Sequence, residues 1–337
     1  MSNQNTYGDI SPRTAGYATK DLLERGQPMA VLERFGYFDP QGKNKTKTRK
    51  WRRYEALQPA TTPLTEGVTP AGSKISYTDI EVVLQQYGDF VPLTDVILDT
   101  HEDPVLQEMS QVLAEQIVET IELVRFSALK AGTNVFYSNG TTRATVNGTV
   151  SKGDLRKIKR TLQRNRARVI ADVIAPTAKV ATEPVAKAFF AVGHTDLDSD
   201  LQNVPGFVPV EKYSAMGKVM DGEIGKIEGI RFILTDLFEP WQEAGASGTT
   251  FLSGGIEVSS SASADVYPLL VFAKDAYAIV PLQGANAVTP AVKNPEPVQG
   301  DELGQRGFVS WKAWQATAIL NDAWMARYEV AATADPA

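Results

Sequence analysis

Three carboxylates follow His194 at alternating positions and are the best candidates for chemistry in this sequence: Asp196, Asp198 and Asp200. Alternating carboxylates open the calcium loop of EF-hand proteins, and an imidazole beside carboxylates could bind a transition metal or activate water. The calcium loop also requires glycine at its sixth position and glutamate at its twelfth, where this chain has Leu201 and Phe207. Calcium is therefore disfavoured and a solvated loop is the simpler interpretation, while a hydrolase that uses His194 stays open as an alternative.

The other patterns that could do chemistry also favour structural roles. Gly222, Gly225 and Gly229 lie in DGEIGKIEGIRF, but no strand-turn-helix context surrounds them, so we predict a tight turn followed by a strand. His101 lies just before a helix start and is interpreted as a helix-entry residue. Neither a Walker-type phosphate loop nor a G-x-S-x-G nucleophile motif occurs. We therefore predict no catalytic residue, no metal site and no cofactor, and we do not expect an enzyme.

Composition narrows the class of protein further. Of the 337 residues, 43% are hydrophobic, which is enough for a large core in one or two domains. The absence of cysteine excludes disulfides, thiolate metal sites and cysteine nucleophiles. The net charge of -6 argues against a surface that binds nucleic acid throughout, although it allows local basic patches. No apolar run reaches the about 18 residues that a membrane helix needs, so we expect a soluble protein without a membrane partner.

Among the elements that position these side chains, the longest is a helix predicted over residues 103–131. Asp103 and Pro104 fit its N-cap and N1 positions, and Gly132 fits its end. Apolar residues recur along one face at spacings of three and four, namely Leu106, Met109, Leu113, Ile117, Ile121, Val124 and Ala128. Glutamates gather on another side and are expected to face water or basic groups of a neighbour: Glu108, Glu115, Glu119 and Glu122.

A basic two-stranded ribbon is predicted over residues 43–84. KTRKWRRYEAL and KISYTDIEVVL have strand character, and the link between them is rich in proline and glycine. Such a ribbon is marginal alone and has few residues for a core of its own, so we expect it to lie across a neighbouring molecule. The candidates for that contact are Lys47, Arg49, Arg52, Arg53, Pro63, Leu64, Glu66 and Pro70.

A second, basic helix is predicted over residues 154–167, with Asp154 as its N-cap. Leu155, Ile158 and Leu162 form a narrow apolar stripe, and cations cover the rest. The simplest interpretation is a solvated basic face, and the alternative is a contact with acidic groups of a neighbour or with a polyanion. The candidates for that contact are Arg156, Lys157, Arg160 and Arg164.

The remainder of the chain is predicted as short strands and turns. Residues 169–266 have mixed short segments, and their Gly- and Ser-rich tract is interpreted as a surface loop. YPLLVFAKDAYAIVPL is interpreted as a buried hairpin-like pair about Lys274 and Asp275. FVSWKAWQATAIL and AWMARYEV are predicted as two strands about an Asn321–Asp322 turn, so the chain ends in a sheet.

The order of these elements resembles the major capsid proteins of tailed phages with the Hong Kong 97-type fold. The stretches PATTPLTEGVTP, QYGDF, KAGTNVFYSNG, FAKDAYAIVPL and QRGFVSWKAWQATAILNDAWMARYEV are similar to the coliphage N-four-type family. The resemblance implies an α+β fold with five parts: an N-terminal arm with a short helix over 1–42, an extended ribbon or E-loop over 43–84, a P-domain part with the spine helix over 85–175, an A-domain over 176–266, and a terminal sheet returning to the P-domain over 267–337.

The resemblance also implies a function. The chain would assemble as hexamers and pentamers into the icosahedral head of a tailed phage and enclose its double-stranded DNA, forming in the host cytoplasm and residing in the virion. Separate scaffolding, portal and decoration proteins would be its partners, with DNA bound non-specifically. Because of the net charge of -6, we favour acidic neighbours over DNA for most of the basic candidates. The alternatives are an encapsulin-like shell and, in a different class, a nucleic-acid-binding protein that uses the basic helix.

Overall fold

The computed structural model describes residues 30–96, 105–170, 188–210, 220, 222–248, 251–254, 256–257, 262–282, 288–297 and 302–334. Only the backbone is described for residues 105–108 and 256–257. The predicted N-terminal arm up to residue 29, His101 and the predicted cap at Asp103 and Pro104 lie outside the described residues.

A seven-stranded mixed sheet forms the centre of the molecule. Its strand order is β5-β19-β14-β6-β9-β8-β7, with parallel pairing between β19 and β5 and between β6 and β9. The strands are β5 (Val135–Tyr137), β6 (Phe189–His194), β7 (Val208–Pro209), β8 (Glu223–Ile227), β9 (Ile230–Thr235), β14 (Tyr267–Phe272) and β19 (Met325–Val330).

Apolar residues on both faces of this sheet are buried. Leu269 and Val271 of β14 belong to the cluster on one face, which is covered by the stripe of helix α2 (Lys152–Arg164) and by Leu201 of the short helix α3 (Asp198–Asn203). Leu270 and Phe272 point to the other face. The period of two along a strand explains this alternation, and burial on both faces explains the continuous apolar sequence YPLLVF.

A second sheet of three antiparallel strands lies beside the first, in the order β16-β17-β4. Its strands are β4 (Gln85–Thr94), β16 (Val288–Lys293) and β17 (Arg306–Gln315). Helix α1 (Val105–Lys130) packs its N-terminal half on this sheet, with Leu113, Ile117 and Ile121 against Val309 and Trp311. The C-terminal half of α1 packs through Phe126 and Leu129 against the seven-stranded sheet. The helix therefore joins the two sheets.

The remaining strands form small sheets. The ribbon is β2 (Thr48–Tyr54) and β3 (Tyr77–Val83), and a three-stranded sheet has the order β1-β15-β18. Its strands are β1 (Tyr37–Phe38), β15 (Tyr277–Ile279) and β18 (Thr317–Ile319). Two further pairs are β10 (Ser247–Gly248) with β13 (Ala262–Ser263), and β11 (Leu252–Ser253) with β12 (Ile256–Glu257). The Gly- and Ser-rich tract thus contains short strands where a surface loop was predicted.

The structure confirms both predicted helices with two corrections. The N-cap of α2 is Ser151, whose hydroxyl accepts from the amide of Asp154, so Asp154 lies within the first turn. In α1, Glu122 does not face water. It is only 1% exposed and is buried together with Arg125. Helical periodicity alone could not indicate this, because an ion pair can replace apolar residues in a core.

Two strand pairings predicted near the C-terminus are wrong. The buried strands β14 and β15, on either side of Lys274 and Asp275, do not pair with each other but join different sheets. Likewise, β17 and β18 precede Asn321 in two small sheets, while β19 enters the seven-stranded sheet between β5 and β14. The domain boundary predicted at residue 266 therefore falls within one sheet, because β14 and β19 pair with strands on both sides of it in sequence.

Candidate assembly surfaces

The link between the ribbon strands, residues 55–76, is the most exposed segment described. Every residue from 54 to 79 is exposed, including the predicted contact residues Pro63, Glu66 and Pro70. Leu64 is 78% exposed, and Val68 and Ile75 are also exposed apolar residues on this link. Several large apolar side chains exposed on one projecting segment favour a surface that another molecule covers.

The base of the ribbon is anchored to the body by Arg49. Its guanidinium donates to both carboxylate oxygens of Asp39 at 2.6 and 2.9 Å, and the Trp51 indole donates to the same carboxylate at 2.8 Å. Leu84, at the end of the ribbon, packs against Val280 and other buried residues. The ribbon is therefore held rigidly at one end, and its link projects from the other.

The other basic ribbon candidates also contact their own chain. Arg52 donates to Asp79 across the ribbon at 2.8 and 3.0 Å, and this ion pair holds the pKa of Asp79 below its ordinary value. Arg53 donates to the carbonyl of Leu320 at 3.1 Å, and the Lys47 ammonium lies 5.9 Å from the Trp314 ring. Cross-strand register, which places Arg52 opposite Asp79, could have indicated this pair from sequence. Their contact with a neighbour stays a prediction.

The basic candidates of α2 fall into two groups. Arg156 pairs with Glu228 at 2.9 Å, and Lys157 pairs with Asp154 at 2.7 Å. Burial opposes ionisation of Asp154, but hydrogen bonds from Lys157, Ser151 and Tyr328 outweigh it and hold the pKa of Asp154 below its ordinary value. In contrast, Arg160 and Arg164 are exposed and have no ion pair within the described part of the chain.

A buried ion pair that the sequence did not indicate joins α1 to the segment before β1. The Glu122 carboxylate accepts from Arg125 at 2.7 Å and from the backbone amide of Leu32 at 2.9 Å. The Tyr277 hydroxyl donates to the carbonyl of Leu32 at 2.5 Å. Burial raises the pKa of Glu122, and Arg125 and the amide partly offset that rise. Both backbone groups of Leu32 are thus fixed by side chains from the body.

A second network that the sequence did not indicate holds the C-terminal end of α1. Arg327 of β19 donates to the carbonyl of Lys130, one of the groups that a helix end leaves unpaired, and to the carbonyl of Gly132 just beyond the helix. Glu329, fully buried, accepts from Arg327 at 2.9 Å and from Arg143 at 2.9 Å. Burial, and then the charge of Arg143, lower the pKa of Lys130. The last strand of the sheet thus fixes the helix that joins the two sheets.

The carboxylates that suggested a metal loop take part in separate structural contacts. Asp196 accepts from the Tyr267 hydroxyl at 2.6 Å, and Asp198 accepts from Gln202 at 3.0 Å. Asp200 accepts from the amide and the hydroxyl of Thr333 at 2.9 and 2.6 Å. Within the described ranges, no group of three or more candidate ligands converges.

The glycines of DGEIGKIEGIRF form no phosphate-binding loop. Glu228 and Gly229 both have positive φ, 51° and 81°, and they connect the antiparallel strands β8 and β9 as a tight turn. The predicted turn and strand are thereby confirmed. Among the helices of the part of the chain described, none is long and apolar enough to cross a membrane.

Comparison with known proteins identifies the family to which the chain belongs. The family described as phage capsid protein matches residues 77–330, about three quarters of the chain. The chain belongs to the phage capsid protein family. Proteins of this family are structural, and capsid proteins assemble in many copies into shells. The major capsid protein of Pseudomonas phage KPP21 is 26% identical over 268 residues, which cover 73% of this chain and 66%, or slightly less than two thirds, of that protein.

Solved capsid structures share the fold of this phage capsid protein. The capsid of Ralstonia phage GP4 has a TM-score of 0.66 at 11% identity, over 91% of this chain and 92% of that chain. The capsid of cyanophage Pam1 has a TM-score of 0.58 at 14% identity, over 89% and 92%. An encapsulin complex from Synechococcus elongatus has a TM-score of 0.51 at 12% identity, over 89% and 87%. The predicted α+β fold of the Hong Kong 97 type is confirmed.

Proposed function

We propose that this chain is the major capsid protein of a tailed phage, which assembles in many copies into an icosahedral shell around double-stranded DNA. The observation that carries the proposal is the exposed link of the ribbon. A segment with exposed Leu64, Val68 and Ile75, held rigidly at its base, gains stability only when another molecule covers it. In a capsid fold, a second copy of the chain is the partner that such a projection suits.

Assembly follows from the separation of a rigid body and a projecting ribbon. The body, built from the two sheets and α1, packs around the axes of hexamers and pentamers, and the link crosses the adjacent copy. In this proposal the whole seven-stranded sheet acts as the A-domain, although the A-domain predicted over 176–266 holds only four of its strands, and the three-stranded sheet with the N-terminal half of α1 acts as the P-domain. Each contact contributes modestly, but every subunit makes several at once, so the shell is far more stable than any single interface.

Additional partners belong to the same proposal. Scaffolding and portal proteins would direct the size and closure of the shell in the host cytoplasm, and decoration proteins would reinforce it in the virion. DNA would be enclosed without reading of its sequence. The chain would act without catalytic residue, metal or cofactor, since the carboxylates that suggested chemistry accept hydrogen bonds from Tyr267, Gln202 and Thr333.

An encapsulin-like shell that encloses protein cargo is the second candidate. The observation in its favour is the shared fold with the Synechococcus encapsulin. The match of the phage capsid protein family over residues 77–330 favours the phage shell instead.

Negative-stain microscopy of the full chain, expressed with and without scaffolding protein, tests the proposal. We expect closed shells or lattices of hexamers and pentamers. A monodisperse monomer under all assembly conditions would contradict the proposal, and shells that enclose protein and exclude DNA in the native host would favour the encapsulin alternative.

A further inference from the structure

Four arginines at the C-terminal end of α2 form an arginine patch: Arg160, Arg164, Arg166 and Arg168. All four are exposed, and none has an ion pair or a side-chain hydrogen bond within the described residues. The N-terminal half of α2 differs, because Arg156 and Lys157 pair there with Glu228 and Asp154. In a chain of net charge -6, the patch is therefore a local excess of positive charge that no described acidic residue neutralises.

Arg166 occupies a position that favours glycine. The amide of Ala167 donates to Leu162 O and the amide of Arg166 donates to Gln163 O, both at 3.0 Å, which is the Schellman pattern at a helix end. Arg166 has a φ of 56°, in the left-handed region that side chains disfavour. The chain thus keeps a cation at a place where glycine would fit the backbone better, and strained residues of this kind cluster at functional sites.

The described residues next to the patch in sequence do not have the composition of a protein interface. The exposed large apolar side chains of the described residues lie on β1, the ribbon and its link, β4 and the residues after it, α1 and the loop before β17, and none lies between residues 150 and 170. Protein interfaces have an apolar centre from which charged residues are depleted, whereas interfaces with DNA are polar and much more positively charged.

Arginine spacing and chemistry suit phosphate groups. The guanidinium group offers parallel donors that bind a phosphate in a bidentate manner. Arg160 and Arg164 are four residues apart, which corresponds to about 6 Å along the helix axis. That distance is close to twice the axial spacing of about 3.4 Å between phosphates on one strand of duplex DNA.

We propose that the arginine patch binds the phosphate backbone of the enclosed duplex DNA, so that the face of the seven-stranded sheet covered by α2 is turned toward the genome. This inference rests on the proposed function and adds the site and the orientation of the subunit. It assigns Arg160 and Arg164 to DNA and leaves Arg156 and Lys157 to their contacts within the chain.

Titration of the unassembled full-length chain with a fluorescent duplex at several salt concentrations tests the inference. For Arg160→Gln/Arg164→Gln we expect weaker binding and a slope of log affinity against log salt that is smaller by about 2, since each phosphate contact contributes about 0.9. The matched control is Lys74→Gln/Lys312→Gln, which removes the same charge from exposed cations elsewhere. Arg166→Gly should melt at a higher temperature and yet bind DNA less tightly.

The same variants are also examined for shells by microscopy, which separates the possible failures. Shells together with a reduced slope would support the inference. An unchanged slope, or an equal reduction in the lysine control, would overturn it. A folded Arg160→Gln/Arg164→Gln chain that forms no shells would also overturn it, because the patch would then be a contact between copies. Absence of shells from the unaltered chain would count against the proposed function, while the titration would still decide on the patch.

Discussion

At the scale of single residues, the Glu122 to Arg125 pair is the least expected feature of the chain. Both side chains are almost fully buried, and the Glu122 carboxylate also binds the amide of Leu32. Removing two charges from water is costly, and their mutual attraction offsets that cost only while both partners are present. The pair therefore adds little to the overall stability, and its main effect is to fix the segment around Leu32 in one position on α1.

Replacing one partner of this pair should destabilise the fold strongly. We expect Glu122→Leu to lower the free energy of unfolding by about 3 to 5 kcal/mol, because Arg125 becomes a buried charge without its nearest counter-ion. The double variant Glu122→Leu/Arg125→Leu should recover most of that loss, since no buried charge remains. Urea unfolding of the unassembled chain measures both values, and a double variant as unstable as the single one would contradict this account.

The raised pKa of Glu122 predicts a dependence of stability on pH. Above its ordinary value of 4.5, the folded chain holds a proton that the unfolded chain has released, so stability from this group is present at lower pH and is lost as pH rises through the folded pKa. The free energy of unfolding of Glu122→Gln minus that of the unaltered chain should therefore rise with pH above 4.5. Below pH 4.5 this difference should be constant. A stability difference between Glu122→Gln and the unaltered chain that stays constant from below pH 4.5 upward would refute the assignment.

At the scale of elements, α1 determines how the two sheets are joined. Ile117 packs with Val309 and Trp311 on the three-stranded sheet, and Phe126 stacks on Phe238 at a centroid distance of 4.3 Å beside the seven-stranded sheet. A disturbance in either half of the helix therefore acts on the whole fold.

A charge in the middle of this helix should prevent folding. Ile117→Asp places an unpaired carboxylate in a core and is expected to cost more than about 4 kcal/mol, whereas Ile117→Val should cost about 0.5 to 1.5 kcal/mol. Val112→Asp, at a position of the same helix that is 64% exposed, should change stability by less than about 0.5 kcal/mol. Soluble yield and thermal unfolding distinguish these outcomes, and soluble, folded Ile117→Asp would contradict the packing described.

Sequence periodicity predicts helices well and long-range pairing poorly. Leu155, Ile158 and Leu162 recur at helical spacing, and their burial was predictable because a helix fixes which side chains share a face. The pairing of β14 and β15 was not predictable from the residues around Lys274, since a turn between two apolar strands does not determine which sheet each strand joins. Buried ion pairs such as Glu122 with Arg125 escape prediction because hydropathy assigns both residues to the surface.

At the scale of the whole molecule, apolar exposure is unevenly distributed. The residues of the seven-stranded sheet are largely buried, while Leu64, Val68 and Ile75 of the link are exposed. The buried sheets therefore stabilise the fold, and the exposed link is available for contacts with other molecules. The family match of residues 77–330 covers most of the body together with the second ribbon strand. The sequence did not predict that Arg49 and Arg52 of the ribbon pair with Asp39 and Asp79 of the same chain.

Changes in the link should spare the fold and impair assembly. Leu64→Asp/Val68→Asp should leave the melting temperature of the unassembled chain unchanged, because neither side chain contacts the core. Burial of such a side chain in an interface contributes about 1.5 to 3 kcal/mol. Because every copy in the shell would lose this contribution, assembly should fail. Sedimentation and microscopy measure assembly, with Lys74→Gln in the same link as a control that loses no apolar area. Normal shells from the double variant would exclude the link as an assembly contact.

The position of β19 also bears on how the chain is made. This strand, Met325–Val330, lies between β5 and β14 and carries the Arg327 side chain that closes the end of α1. The chain must therefore be synthesised through Val330 before β19 can join β5 to the rest of the central sheet. Chains cut short before residue 325 lack β19 and the Arg327 side chain at the end of α1, so we expect them to fail to fold and to be absent from the shell.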